Sequence, residues 1–143
     1  MENKHTLCYV DEDATAIADF VGEMEPYFNV VQVQVQNNEQ LNELIERLKA
    51  VQFDYLVVDY HLNQAIRLSY DGDAVIKSFT AIFKDFPCML LSSDGKGAVT
   101  ESEGVSADLV RDKSEISNLD NREVFVGRIE KRVLQYKTRL TEA

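Results

Sequence analysis

Four carboxylates follow two short runs of β-branched and aromatic residues. Thr6-Leu-Cys-Tyr-Val10 leads into Asp11-Glu12-Asp13, and Phe53-Asp-Tyr-Leu-Val-Val58 delivers Asp59. In an open parallel sheet, groups just beyond the carboxyl ends of the strands face the ligand-binding crevice. If the two runs are neighbouring strands, Asp11, Glu12 and Asp59 meet in one small acidic pocket. Carboxylates about 4 Å apart repel by roughly 1 kcal/mol in water and roughly 4 kcal/mol at an effective dielectric of 20. Such a cluster is relieved by protonation or by a bound cation. Mg²⁺ is the natural choice, since it binds one or two carboxylates and keeps several waters. An ionised aspartate beside Mg²⁺ is also a suitable nucleophile toward phosphorus. Ser92, at the end of a later apolar run, can offer a hydroxyl to a phosphoryl oxygen. Arg111 is the first candidate for a pairing cation, with Lys113 behind it.

The elements that must position these residues alternate between strand-like and helix-like patterns. After the first strand, Ile17, Phe20, Val21 and Met24 recur at helical spacing, and Pro26 ends that helix. The strict alternation within Asn29–Gln36 predicts a sheet-edge strand. Leu41, Leu44, Ile45, Leu48 and Val51 form the stripe of a second helix, with Asn37 or Asn38 as its cap. The strand ending at Asp59 is followed by a polar loop, Asn63 to Asp71, and then Gly72. Asp73 is placed to cap a third helix striped by Val75, Ile76, Phe79, Ile82 and Phe83. Pro87–Ser92 reads as a fourth strand and Ala107–Val110 as a short fifth. Ser93 to Ser106 holds three glycines, so any helix there is short or irregular. The last helix starts near Asp120, which has capping-box spacing with Glu123; its buried face is Phe125, Ile129, Val133, Tyr136 and Leu140. Five strand–helix units in alternation predict a single α/β domain over residues 1–143, a doubly wound sheet with helices on both faces.

Composition excludes several classes of function. The chain has 143 residues and a formal net charge of −10, which repels nucleic-acid phosphates and acidic membranes. No apolar run is long enough to span a bilayer, and the N-terminus lacks the apolar segment of a signal peptide. Cys8 and Cys88 fall inside predicted strands and read as buried free thiols of a cytoplasmic protein. With only His5 and His61 besides, the chain shows no zinc-ligand spacing.

Val10-Asp-Glu-Asp13, Val58-Asp59, Pro87-Cys-Met-Leu-Leu-Ser92 and Val110-Arg-Asp112 together resemble the motifs of response-regulator receiver domains of two-component signalling. The resemblance runs from about His5 to Leu140, in the family's order. It implies a flavodoxin-like, five-stranded parallel sheet of order 2-1-3-4-5. It implies that Asp59 accepts a phosphoryl group from a phosphohistidine on a sensor histidine kinase or phosphotransfer protein. Glu12, Asp59 and the backbone carbonyl of His61 would hold Mg²⁺, with Asp11 acting mainly through water. Ser92 matches the switch hydroxyl, and Gly72 the glycine that opens the third helix. Arg111 takes the place of the family's lysine, and Asp108, three residues earlier, that of its aromatic switch residue. The proline usual after the phosphorylated aspartate is missing at Leu62-Asn63, and the loop from Asp59 to Gly72 is several residues longer than usual.

These features admit simpler accounts. Aspartates after strands are common because loops are solvated and Asp favours turns and caps. His61 is a loop residue contributing no more than its carbonyl, and Asp71-Gly-Asp73 is a turn plus a helix cap. The leading expectation is a stand-alone phosphoacceptor switch, not an enzyme, that signals through contact with a downstream protein. The alternative is a pseudo-receiver serving as a phosphorylation-independent binding or dimerisation module, and a homodimer is compatible with either. A phosphohydrolase of the haloacid-dehalogenase type ranks lower, because that chemistry needs a second Asp where His61 stands.

Overall fold

Thr6–Asp11 forms β1, whose residues after Thr6 are all buried. It pairs in parallel with β2 (Asn29–Gln34) on one side and with β3 (Tyr55–Asp59) on the other. β4 (Cys88–Ser92) pairs with β3, and β5 (Val110–Asp112) pairs with β4. The sheet is thus all-parallel with order β2-β1-β3-β4-β5, the order that the resemblance to receiver domains implies. The structure, a computed structural model, describes residues 4–62, 67–93 and 109–142. Residues 94–106 of the glycine-rich segment expected to hold a short helix, residues 107 and 108 of the expected fifth strand, and residues 63–66 of the loop after Asp59 lie outside these.

Alternate strand residues face opposite sides of a sheet, and here each side has its own core. Cys8, Val10, Leu56, Val58, Leu90 and Val110 pack with helices α2 (Leu41–Lys49) and α3 (Gly72–Ile82). Leu7, Tyr9, Tyr55, Val57, Met89 and Leu91 pack with α1 (Ala14–Met24) and with Phe125, Ile129 and Val133 of α5 (Leu119–Glu142). The four-residue helix α4 (Ser114–Ser117) adds Ile116 to that second core. Coverage on both faces explains why β3 and β4 are unbroken apolar runs, while β2, at the edge, keeps its polar alternation.

Helix ends depart from the expected pattern by a few residues. Asp13 caps α1, accepting from the Thr15 amide at 2.9 Å. The α2 helix is opened by Gln40 instead of Asn37 or Asn38, with the Glu43 side chain accepting from the Gln40 amide at 3.0 Å. Asn118, not Asp120, supplies the side-chain oxygen at the start of α5, accepting from the Asp120 amide at 2.9 Å. The α3 helix starts at Gly72, so Asp71 takes the capping position and Asp73 sits inside the first turn. Leu140, on the expected buried stripe of α5, is exposed, because the helix outruns the sheet that covers its earlier turns. Ile82, at the end of α3, is exposed as well.

The early start of α3 has a steric cause and a consequence. Gly72 donates its amide to the Tyr60 carbonyl at 2.9 Å. A Cβ at this position would lie 2.3 Å from the Asp59 carbonyl oxygen and 3.0 Å from Leu90 Cδ2. Helix propensity alone would make Gly72→Ala stabilising by about 1 kcal/mol. Overpacking against a backbone oxygen costs about 1–3 kcal/mol and should win. Chemical denaturation of Gly72→Ala is therefore expected to show a net loss of stability, and a gain would refute the close packing of α3 on β3.

Candidate functional site: an acidic cluster at the carboxyl edge of the sheet

Because β1 and β3 are neighbours, their carboxyl ends bring Asp11, Glu12 and Asp59 together. One carboxylate oxygen from each lies within 4.8 Å of the others. Asp11 and Asp59 are buried, and Glu12 is partly exposed at the rim. Burial and the charge of Asp11 raise the Asp59 carboxyl above the usual carboxylate range, against the opposing pull of Lys113. The same causes, burial first and then Asp11, Asp13 and Asp59, raise Glu12. A cluster in which carboxylates are held together against their charge is poised to take a cation.

Each buried carboxylate is fixed from a different side. Tyr9, two residues before Asp11 and on the same face of β1, donates its hydroxyl to Asp11 Oδ2 at 2.6 Å. The Asp13 amide donates to Asp11 Oδ1 at 3.1 Å. The Tyr9 ring is itself stacked on Phe20 of α1, with centroids 4.0 Å apart. Burial and then the adjacent Asp11 push the Tyr9 phenol far up, so it stays a donor at any ordinary pH. Tyr9 is the site residue that the motifs do not mark. Its signal is the i, i+2 spacing to Asp11, which puts both side chains on one side of a strand.

The cation on Asp59 is Lys113, whose Nζ lies 2.8 Å from Asp59 Oδ1. Burial alone would lower the lysine, but the hydrogen bond and charge of Asp59, joined by Asp11 and Asp13, outweigh it and hold the ammonium charged. Arg111, the first candidate in the sequence, is elsewhere. It stands level with Leu91, which stands level with Asp59, so Arg111 is two strands away, roughly 10 Å. It borders a hollow beside α5 together with Tyr55 and Met89. The reason is the length of β5. The sequence ends that strand at Val110, whereas the ladder continues to Asp112, and the Lys113 amide then bonds the Ser92 carbonyl at 2.8 Å. The chain therefore turns over the sheet edge two residues later, and Lys113 makes the turn.

Ser92, fully buried, ends β4 one residue beyond the level of Asp59. His61 lies two residues past the end of β3, edge-on to Tyr60, with centroids 4.7 Å apart. The donor chemistry fits Mg²⁺, a hard ion that prefers oxygen and few protein carboxylates. Asp11, Glu12 and Asp59 supply that kind of donor within one small space.

Neither a protein-family profile nor a curated protein matches the chain in sequence. Solved structures do match in shape. The receiver domain of the Francisella response regulator 1452 superposes with a TM-score of 0.67 at 14% identity, over 93% of this chain and 99% of that one. The Vibrio cholerae chemotaxis response regulator CheY4 gives 0.64 at 12% identity, over 89% and 99%. The anti-anti-sigma factor PhyR of Bartonella quintana gives 0.67 at 10% identity, over 99% of this chain and 52% of the other. Strand order, parallel pairing and near-complete coverage agree, and the chain has the fold of response-regulator receiver domains.

Proposed function

We propose that this chain is a phosphoacceptor receiver that takes a phosphoryl group onto Asp59 from a phosphohistidine of a sensor kinase or phosphotransfer protein. The observation that carries the reading is the joint position of Asp59: its neighbours are two carboxylates within 4.8 Å and an ammonium at 2.8 Å. In the transfer, an Asp59 carboxylate oxygen bonds to phosphorus while the phosphorus–nitrogen bond breaks. The electron pair stays with the departing imidazole, and an acyl phosphate remains on Asp59. Asp11, Glu12, Asp59 and the His61 carbonyl would hold Mg²⁺, which when bound supplies charge to offset the phosphate oxygens. Lys113, in the role first expected of Arg111, pairs with a phosphoryl oxygen, and the Ser92 hydroxyl donates to another. The output is contact with a downstream protein. Among the described residues no helix is long and apolar enough to cross a membrane.

One observation favours a second reading, a binding module indifferent to phosphorylation. With Lys113 as the pairing cation, the position three residues earlier is Val110, small and buried, where the family carries an aromatic switch. Incubation with a small phosphodonor and Mg²⁺, followed by intact-mass measurement, separates the two. The phosphoacceptor reading expects a gain of one phosphoryl group in the wild type and none in Asp59→Asn. No gain, or one that persists in Asp59→Asn, contradicts it.

Stability against pH offers a second test. The Asp59 and Glu12 carboxyls titrate higher in the folded chain than in the unfolded one. Their contribution is thus fully present below the unfolded carboxylate range and is lost as pH rises through the raised folded values. The metal-free protein should accordingly lose stability through that window. Mg²⁺ should restore it at neutral pH by about 1–3 kcal/mol at saturation, and should bind more weakly as pH falls. Asp59→Asn should flatten the pH dependence and remove most of the Mg²⁺ effect. Melting curves at mildly acidic and neutral pH, with and without Mg²⁺, measure all of this. A neutral-pH melting temperature unmoved by millimolar Mg²⁺ would count against the cation site.

A further inference from the structure

Away from the acidic cluster, the sheet face under α5 carries a cationic hollow. Its volume is about 290 Å³, at the lower end of small-molecule sites. The floor is apolar: Tyr55 of β3, Met89 of β4 and Leu109 just before β5. The walls carry Arg111 from β5 and Lys131 and Arg132 from α5. This grouping is unusual for a chain with 25 acidic and 15 basic residues. Elsewhere the basic side chains mostly find acids: Arg47 holds Glu39, Lys49 holds Glu46, Arg122 holds Glu23 and Lys137 holds Asp54. Arg128, at the upper rim, is tied to Glu115 at 3.3 Å. Among the described residues, no ion pair involves Arg111, Lys131 or Arg132.

Three like charges bordering one concavity repel one another, and an anion bound beside them would offset that cost. Two of the three are guanidinium groups, whose planar forks match phosphate oxygens in a bidentate manner. The Tyr55 hydroxyl is turned inward to the Cys88 carbonyl at 3.2 Å, which leaves carbon and the Met89 thioether as the floor. An apolar floor under a cationic rim suits an anion with a flat, weakly polar body.

We infer that this hollow binds a phosphorylated small molecule of the nucleotide class, with its phosphates on Arg111, Lys131 and Arg132 and its ring over Tyr55 and Met89. The site is separate from Asp59 and does not depend on the function proposed for it.

The test is a titration of the full chain with ATP and, separately, with inorganic triphosphate, in Mg²⁺-free buffer without phosphodonor, followed by amide NMR. Expected is saturable ATP binding that perturbs Met89, Arg111 and residues 128–135, and triphosphate binding that is several-fold weaker because it lacks the ring. Arg111→Gln and Arg132→Gln, verified as folded by circular dichroism, should each weaken ATP about ten-fold, the loss expected for one charged hydrogen-bonding partner. Four results would overturn the proposal: no saturable ATP binding, equal affinity for triphosphate, binding unchanged in both variants, or perturbation by an acidic peptide such as oligoglutamate with none by ATP.

Discussion

Mutual repulsion among Asp11, Glu12 and Asp59 is the constraint around which the carboxyl edge of this sheet is organised. Nothing local would hold three carboxylates within 4.8 Å of one another. They are held because β1 and β3 pair side by side and both are clamped between two apolar layers. The supporting residues each restrain one carboxylate: Tyr9 and the Asp13 amide on Asp11, and Lys113 on Asp59. Even Gly72 belongs to this arrangement, since a larger residue would push α3 off the strand end that presents Asp59. The hydrophobic core thus holds an electrostatically unfavourable cluster in place, which is where perturbed carboxyl groups and function commonly coincide.

Much of this was legible in the sequence, and the misreadings share a cause. Strands β1, β3 and β4 are buried on both faces, so their apolar runs mark them plainly and fix Asp11, Asp59 and Ser92 at their ends. The β5 strand has one buried apolar residue, Val110, followed by Arg111 and Asp112. Hydrophobicity cannot mark the end of such a strand; the hydrogen-bond ladder with β4 does, and it runs on to Asp112. Two residues of added strand exchange Arg111 for Lys113 as the partner of Asp59. They also remove the mismatch between this chain and the receiver pattern at that position, because the cation is a lysine after all. Helix starts are ambiguous in sequence for a related reason: several polar residues near each start can serve, and tertiary packing selects among them, as Gly72 does for α3.

The corrected register also sorts the charges of β5. Arg111 points to the α5 side and joins a cationic hollow, whereas Lys113, past the strand end, reaches the acidic cluster. A single short edge strand therefore borders two oppositely charged sites on an acidic protein. The like charges in each are kept together by backbone hydrogen bonds and core packing, not by their own attractions.

The central claim is that Asp59, in its setting of Asp11, Glu12, Ser92 and Lys113, is built to carry a phosphoryl group. The most direct measurement is amide NMR of the chain titrated with beryllofluoride, a phosphoryl mimic, in the presence of Mg²⁺. The account predicts saturable perturbations centred on residues 11–13, 59–61, 92 and 113, absent in Asp59→Asn. A spectrum that beryllofluoride leaves unchanged while Mg²⁺ alone perturbs the same residues would contradict it, leaving a cation site without phosphoacceptor chemistry.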